Sequence, residues 1–213
     1  MARNKYPEET VKLILDVAAR LFAEKGYDRT SLQDIINETK LSKGAIYHHF
    51  ASKEDILEAI FDRIGAENTA VLAKVRDDKS VNGLEKLRSI IRTAVCHANQ
   101  SLMLTITPDL LENPRFLSLQ ISQIYEMVAP NFIEPILRQG MEDGSIPIEH
   151  PKEIAETIMI LTNIWLNPLV NQTDAQGMRE RCNTFNHLMS GIGIGILLDE
   201  DLIEAYSGFC KQQ

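Results

Sequence analysis

The residues best suited to contact another molecule lie in one short segment, LSKGAIYHHF, at residues 41–50. Helical spacing gives this segment two outward rows, Lys43 with Tyr47 and Gly44 with His48. The rows offer a cation, two ring side chains with polar tips, and a glycine beside which a backbone can approach closely. Lysine binds guanine edges or phosphates, and tyrosine and histidine donate to phosphates. The segment therefore favours a helix that contacts DNA.

Three short predicted helices hold this surface in place. The first begins at Pro7 and is ended by Gly26. Proline in the first turn and glycine just after the last turn are both typical of helices. Thr30 is the predicted cap of the second helix with Gln33 reaching back to it, and Ser42 is the predicted cap of the third. A tight turn joins the second and third helices, so we predict a helix-turn-helix arrangement.

The rest of the chain keeps the helical period, and its predicted helices are longer. They cover residues 81–97, 115–140 with kinks at its prolines, 152–166 and 175–198, followed by a short terminal turn or helix. The glycine-rich stretch at 191–196 fits either close helix packing or a distorted segment. We predict an all-α chain. A helix-turn-helix domain at 1–55 is joined by a linking helix at about 53–77 to a larger helical domain at 56–213.

Charge divides the chain at the same place. Residues 1–55 hold nine Lys and Arg and nine Asp and Glu, so the net charge of −8 lies wholly after them. A neutral first quarter joined to an acidic remainder suggests two tasks in one chain. The N-terminal residues are charged and have no apolar core, so we expect no signal peptide, and the longest weakly polar stretch is far shorter than a membrane span. With three scattered cysteines, these features predict a cytoplasmic protein with reduced thiols and no membrane partner.

Patterns typical of enzymes are missing from the sequence. The histidines show no metal-ligand spacing, and no phosphate-binding loop, nucleophile elbow or plausible catalytic triad occurs. We therefore expect no metal, no cofactor and no catalytic residues.

The stretch GYDRTSLQDIINETKLSKGAIYHHFASKEDIL resembles the N-terminal signature of the TetR (tetracycline-repressor) family of transcriptional regulators. The matching features are the glycine–aromatic pair, the Thr-capped helix, the Lys-Gly-x-x-Tyr-x-His-Phe core and the lysine that opens the next helix. The resemblance implies a homodimer that binds a palindromic operator in double-stranded DNA. It also implies a C-terminal domain that binds a small-molecule effector and releases DNA, most commonly as a repressor.

The same resemblance implies roles for individual residues. Thr30 would hold a phosphate, Thr39 and Lys40 lie in the turn where phosphate contacts are expected, and Ser42, Lys43 and Gly44 would lie nearest the base edges. Tyr47, His48 and Lys53 would contact the DNA backbone.

The family places its effector pocket among the middle helices. The pocket candidates are Gln100, Met103, Phe116, Tyr125, Glu126, Met127, Phe132, Met159, Asn163 and Trp165. The alternative is that most of them form the core. Two later helices should form a four-helix bundle with their dimer mates through Ile154, Ile158, Leu161, Leu188, Ile192 and Ile196, some of which the core would share.

Two other functions stay open at this stage. One is a dimeric helical small-molecule sensor or binding protein without operator recognition, against which the intact Lys43, Tyr47, His48 and Lys53 count. The other is an all-helical enzyme, against which the missing catalytic spacings count.

Overall fold

A computed structural model describes residues 7–96, 114–168 and 170–210 of the chain. Within this part all regular structure is helical, which confirms the predicted all-α class. The described residues form two compact units, one up to Thr69 and one from Ala70 onward. The division between the units falls inside a single long helix.

In the described part of the first unit there are three helices and most of a fourth: α1 (Pro7–Lys25), α2 (Leu32–Thr39), α3 (Lys43–His49) and α4 (Lys53–Asp77). Its core consists of apolar side chains that solvent does not reach: Ile14, Ala18, Phe22, Ile35, Ile46, Ile56 and Ile60. Each large side chain removed from water contributes about 1.5–3 kcal/mol. This small core fixes which face of α3 is turned outward.

The cap of α2 differs from the prediction. Ser31 is the cap, and its hydroxyl accepts the backbone N–H of Asp34 at 3.1 Å, while the Asp34 carboxylate accepts the N–H of Ser31 at 2.9 Å. The prediction that Thr30 and Gln33 form this capping box is therefore wrong. Hydrogen bonds from the hydroxyl and then the backbone of Ser31 lower the pKa of Asp34 to about 2.

The described residues of the second unit form the end of α4 and six more helices: α5 (Gly83–Cys96), α6 (Pro114–Ser122), α7 (Glu134–Asp143), α8 (Pro151–Ile160), α9 (Ala175–Gly191) and α10 (Glu200–Gly208). Their buried faces meet in one apolar core, whose fully buried members include Leu87, Ile136, Leu137, Ala155, Met178, Cys182 and Phe185.

Wider π-helical turns follow two of these helices without a break. Residues Gln123–Ile133 connect α6 to α7, and residues Leu161–Trp165 extend α8. Pro130 has no N–H to donate and lies inside the first π-helical segment, whereas Pro135 lies in the first turn of α7, where proline is tolerated. The region predicted as one helix at 115–140 is therefore helical throughout, but it changes from α to π and back to α, and this change accommodates its two prolines.

The glycine-rich stretch after α9 is a distorted segment. The helix ends at Gly191, so the prediction that it reaches Leu198 is wrong. Gly193 and Gly195 have φ of 93° and 86°, which lies in the left-handed region that favours glycine. These turns leave Ile192 and Ile196 exposed and bury Ile194.

A close contact between α5 and α7 yields a first prediction. A Cβ atom added at Gly83 would lie 2.4 Å from the Cα and N atoms of Gly140. Because both are backbone atoms, the helices would have to separate. We expect Gly83→Ala to lower the free energy of unfolding by about 3 kcal/mol, measured by urea denaturation.

Gly208→Ala is the matched control, because nothing lies within 4 Å of a Cβ atom at that position. It should leave stability unchanged or slightly higher, since alanine favours helix. Equal urea midpoints for the two variants would contradict the predicted close approach.

Candidate DNA-binding surface

The two faces of α3 separate as the spacing predicts. Ile46 and the following Phe50 are buried in the core of the first unit. Lys43, Gly44 and His48 are exposed on the opposite side. Tyr47 lies beside them with 46% of its surface exposed, which is high for an aromatic side chain. The core thus presents the polar row to solvent as one continuous surface.

The geometry of this surface suits contact with a nucleic acid. The Lys43 ammonium lies 5.4 Å from the centre of the Tyr47 ring, close enough for a cation–π contact that orients both side chains. A Cβ atom at Gly44 would meet nothing within 4 Å, so the space above it is open to an approaching backbone. Ser42 caps the helix by accepting the N–H of Ala45 at 3.1 Å. These groups can bind guanine edges and phosphates.

The turn before α3 presents only one of its two predicted contact residues. Thr39 is buried, and its hydroxyl donates to the carbonyl oxygen of Ile35 at 2.8 Å. Lys40 is exposed and has φ of 57°, which lies in the left-handed region that L residues rarely adopt. The turn therefore holds a cation at a position where glycine would be less strained.

This strain gives a second prediction. Replacing Lys40 by glycine should raise the free energy of unfolding by about 1 kcal/mol, because glycine adopts the left-handed conformation without a steric penalty. The same change should weaken operator binding about threefold to tenfold by removing a cation near the phosphates. Urea denaturation and a DNA titration measure the two effects. A variant that gains stability and keeps full affinity would remove Lys40 from the DNA contacts.

Thr30 and Lys53, the remaining two predicted DNA contacts, both donate hydrogen bonds to backbone carbonyl oxygens of the first unit. Thr30 is 1% exposed, and its hydroxyl lies 2.8 Å from the carbonyl oxygen of Gly26, to which it donates. The Lys53 ammonium donates to the carbonyl oxygen of Tyr27 at 2.8 Å and lies 4.0 Å from the centre of that ring. A phosphate contact through Thr30 would require its hydroxyl to leave the end of α1. Tyr27 is not identified from the sequence as the partner of Lys53, although its place in the glycine–aromatic pair marks it as a residue of interest.

The predicted pocket residues lie in different environments within the second unit. Tyr125, Glu126, Met127 and Asn163 are exposed, Phe132 is buried, and Met159 and Trp165 pack partly buried against the core. The Glu126 carboxylate accepts the Ser122 hydroxyl at 2.9 Å. Gln100, Met103 and the side chain of Phe116 lie outside the described residues.

The predicted interface residues also divide between surface and core. Leu188, Ile192 and Ile196 are 49%, 43% and 57% exposed. Ile154 and Leu161 are half-buried, and Ile158 is buried in the apolar core of the second unit. The exposed members lie on α9 and on the distorted segment that follows it.

This distorted segment is fixed by side chains of the second unit. The Asn186 amide group donates to the carbonyl oxygen of Leu198 at 2.7 Å, and its oxygen accepts the N–H of Leu197 at 3.1 Å. Arg88 donates from Nε to the carbonyl oxygen of Ile196 at 2.9 Å. The exposed isoleucines therefore extend from a backbone that is held in place.

No group of three or more His, Cys, Asp or Glu side chains in the described ranges is arranged to hold a metal ion. None of the described helices has both the length and the apolar character to cross a bilayer. Burial raises the pKa of the Cys182 thiol to about 11, so this cysteine is a packing group with little thiolate.

Comparison with known proteins points in the same direction. The sequence model described as "Bacterial regulatory proteins, tetR family" matches residues 14–60. The A-factor receptor protein of Streptomyces griseus is 44% identical over 62 residues, which are 29% of this chain and 22% of that protein. The HTH-type transcriptional repressor AcnR of Corynebacterium glutamicum is 26% identical over 182 residues, which are 84% of this chain and 92% of that protein.

A solved structure shares the fold along nearly the whole chain. The crystal structure of a gamma-butyrolactone receptor (ArpA-like protein) superposes with a TM-score of 0.59 at 22% identity, and covers 95% of this chain and 97% of that one. The matching helix-turn-helix segment, the relative matched along most of its length and the shared all-helical fold agree. Residues 14–60 thus match the tetR family of bacterial regulatory proteins, and the chain shares its all-helical fold with a gamma-butyrolactone receptor.

Proposed function

We propose that this protein is a cytoplasmic, homodimeric transcriptional regulator that binds a palindromic DNA operator and acts as a repressor released by a small-molecule effector. The observation that carries the proposal is the exposed row of Lys43 and Tyr47 on the outer face of a capped α3. Exposed aromatic and cationic groups on a recognition helix are what a DNA major groove requires. In this proposal residues 1–55 bind DNA, and residues 56–213 bind the effector and dimerise.

The proposed DNA contacts start from the exposed residues of the helix-turn-helix. Lys40, Ser42, Lys43, Gly44, Tyr47 and His48 are exposed and form the contact set. Among them, Lys43 and Gly44 would approach base edges near the start of α3, and Tyr47 and His48 would donate to phosphates. Thr30, Thr39 and Lys53 would act chiefly by holding the helices that carry this set.

The proposed dimer interface rests on the exposed apolar side chains of Leu188, Ile192 and Ile196. Leu188 lies in the last turn of α9, and Ile192, the residue directly after the helix, donates its backbone N–H to the carbonyl oxygen of Leu188, so the two residues are neighbours at this end of the helix. Grouped exposed apolar side chains are typical of interaction surfaces. A second copy of the chain would place a second α3 about 34–36 Å away, one turn of DNA from the first.

Regulation by an effector is supported by the relatives, two of which are named as receptors. Trp165 is the single tryptophan of the chain and lies half-buried against the core of the second unit. Its emission can therefore report binding there. In a screen of small amphipathic molecules, we expect at least one compound to shift Trp165 emission and to release bound DNA together.

Selection from a random library of duplex DNA tests the proposed function and identifies the operator sequence in the same experiment. The proposal predicts enrichment of an inverted repeat whose half-site centres lie about 10 base pairs apart. It also predicts two chains per bound duplex by sedimentation. If no sequence is enriched, the alternative of a dimeric sensor without operator recognition is favoured instead.

A further inference from the structure

Lys86 of α5 is a buried cation that neither the DNA-binding surface nor the proposed interface uses. It is 3% exposed, and its ammonium donates to the carbonyl oxygen of Arg76 at 2.5 Å and to Oε1 of Gln139 at 2.7 Å. Both acceptors are uncharged. Burial of an ammonium group is costly unless its hydrogen bonds are strong and well placed, so this position implies a specific task.

The first acceptor lies at the end of α4. Arg76 is in the last turn of that helix, where carbonyl groups have no partner inside the helix. A cation placed there satisfies a carbonyl and also interacts favourably with the negative end of the helix dipole. Lys86 therefore caps α4 from a different helix.

The side chain of Arg76 holds the same turn on another element. Its Nη1 donates to the carbonyl oxygen of Asn131 at 3.0 Å, and its guanidinium lies 5.3 Å from the centre of the Phe132 ring. Both partners belong to the π-helical segment Gln123–Ile133. That segment also carries predicted pocket residues, so the last turn of α4 is tied to the region where an effector is expected.

The corner between α4 and α5 is itself fastened to the end of α7. The N–H of Gly83 donates to the Asp143 carboxylate at 2.8 Å, and the N–H of Leu84 donates to the Ser145 hydroxyl at 3.2 Å. The amide of Gln139 donates to the carbonyl oxygen of Val81 at 3.2 Å. Gln139, the second acceptor of Lys86, is therefore itself held in place by a hydrogen bond to this corner.

We propose that Lys86 is a positioning residue that fixes the last turn of α4 on the second unit and so sets the separation at which a dimer holds its two α3 helices. The helix α4 starts at Lys53, directly after the helix-turn-helix, and ends beside Lys86. A displacement of the last turn of α4 would therefore be transmitted along one continuous helix toward the helix-turn-helix. The inference rests on the proposed DNA-binding function.

The test compares Lys86→Met with Lys79→Met, which removes an exposed lysine from the same corner. Amide hydrogen exchange over residues 73–78 should become about tenfold faster in Lys86→Met only, while exchange in α10 stays the same. Both proteins are also titrated with duplexes that carry the selected half-sites at the selected spacing or one base pair further apart. The parent and Lys79→Met should prefer the selected spacing by about tenfold, and Lys86→Met by about twofold.

Each outcome decides the inference. Unchanged exchange at residues 73–78 overturns it whatever the DNA result. Faster exchange with an unchanged spacing preference also overturns it, because Lys86 would then serve stability alone. If the parent protein binds no selected duplex, the proposed function fails, and the exchange data show separately whether the cap exists. Should Lys86→Met not fold, Gln139→Met keeps the lysine, removes one acceptor and should shift both readouts in the same direction.

Discussion

Tyr47→Ala should weaken operator binding about 10-fold to 100-fold while leaving the thermal midpoint nearly unchanged. The side chain is 46% exposed, so its removal costs little packing within the chain. Contacts made by a recognition helix are worth about 1–3 kcal/mol each, which corresponds to this loss of affinity. Fluorescence anisotropy with the selected duplex measures the binding constant.

Tyr125→Ala is the matched control for this experiment, because Tyr125 is 45% exposed and lies in the second unit. In the absence of effector it should bind the duplex as the parent protein does. Equal affinities for the two variants would show that the tyrosine of α3 does not touch DNA.

Ile192→Glu should convert the dimer to monomers and lower operator affinity by more than about 100-fold. A carboxylate placed within an apolar contact loses its hydration without gaining a partner, which costs several kcal/mol. A monomer engages one half-site, so it also loses the gain in effective concentration that links the two binding events. Sedimentation velocity measures the oligomeric state, and the same anisotropy titration measures affinity.

Met141→Glu serves as the control, since Met141 is an exposed apolar residue on α7, outside the proposed interface. It should sediment and bind DNA as the parent does. The interface assignment is refuted if Ile192→Glu remains a dimer, or if Met141→Glu dissociates equally.

The surface of α3 could be predicted because helical spacing alone sorts its side chains. A buried Ile46 and an exposed Tyr47 follow once the residues are known to be helical. The capping residue of α2 is harder to predict, because the adjacent Thr30 and Ser31 both carry hydroxyl groups that could cap the helix. Only the packing shows that the Thr30 hydroxyl faces the carbonyl oxygens of Leu21 in α1 and of Gly26 directly after that helix.

The second unit was less predictable, because its important features depend on contacts between distant residues. Phe132 fits a pocket by residue type, yet the structure buries it beside the guanidinium of Arg76. Nothing in the local pattern around Lys86 indicates a buried cation, because its two acceptors come from α4 and α7. The left-handed glycines at 193 and 195 likewise became recognisable only from backbone angles.

The central claim is that two copies of α3 read a specific DNA sequence. Its most direct test is the ratio of dissociation constants for the selected palindrome and a scrambled duplex of equal length, at physiological salt. The account predicts a ratio of at least about 1,000 for the parent protein, and a ratio that falls sharply in the Lys43→Ala, Tyr47→Ala double variant. Near-equal constants for the two duplexes in the parent protein would contradict sequence-specific regulation.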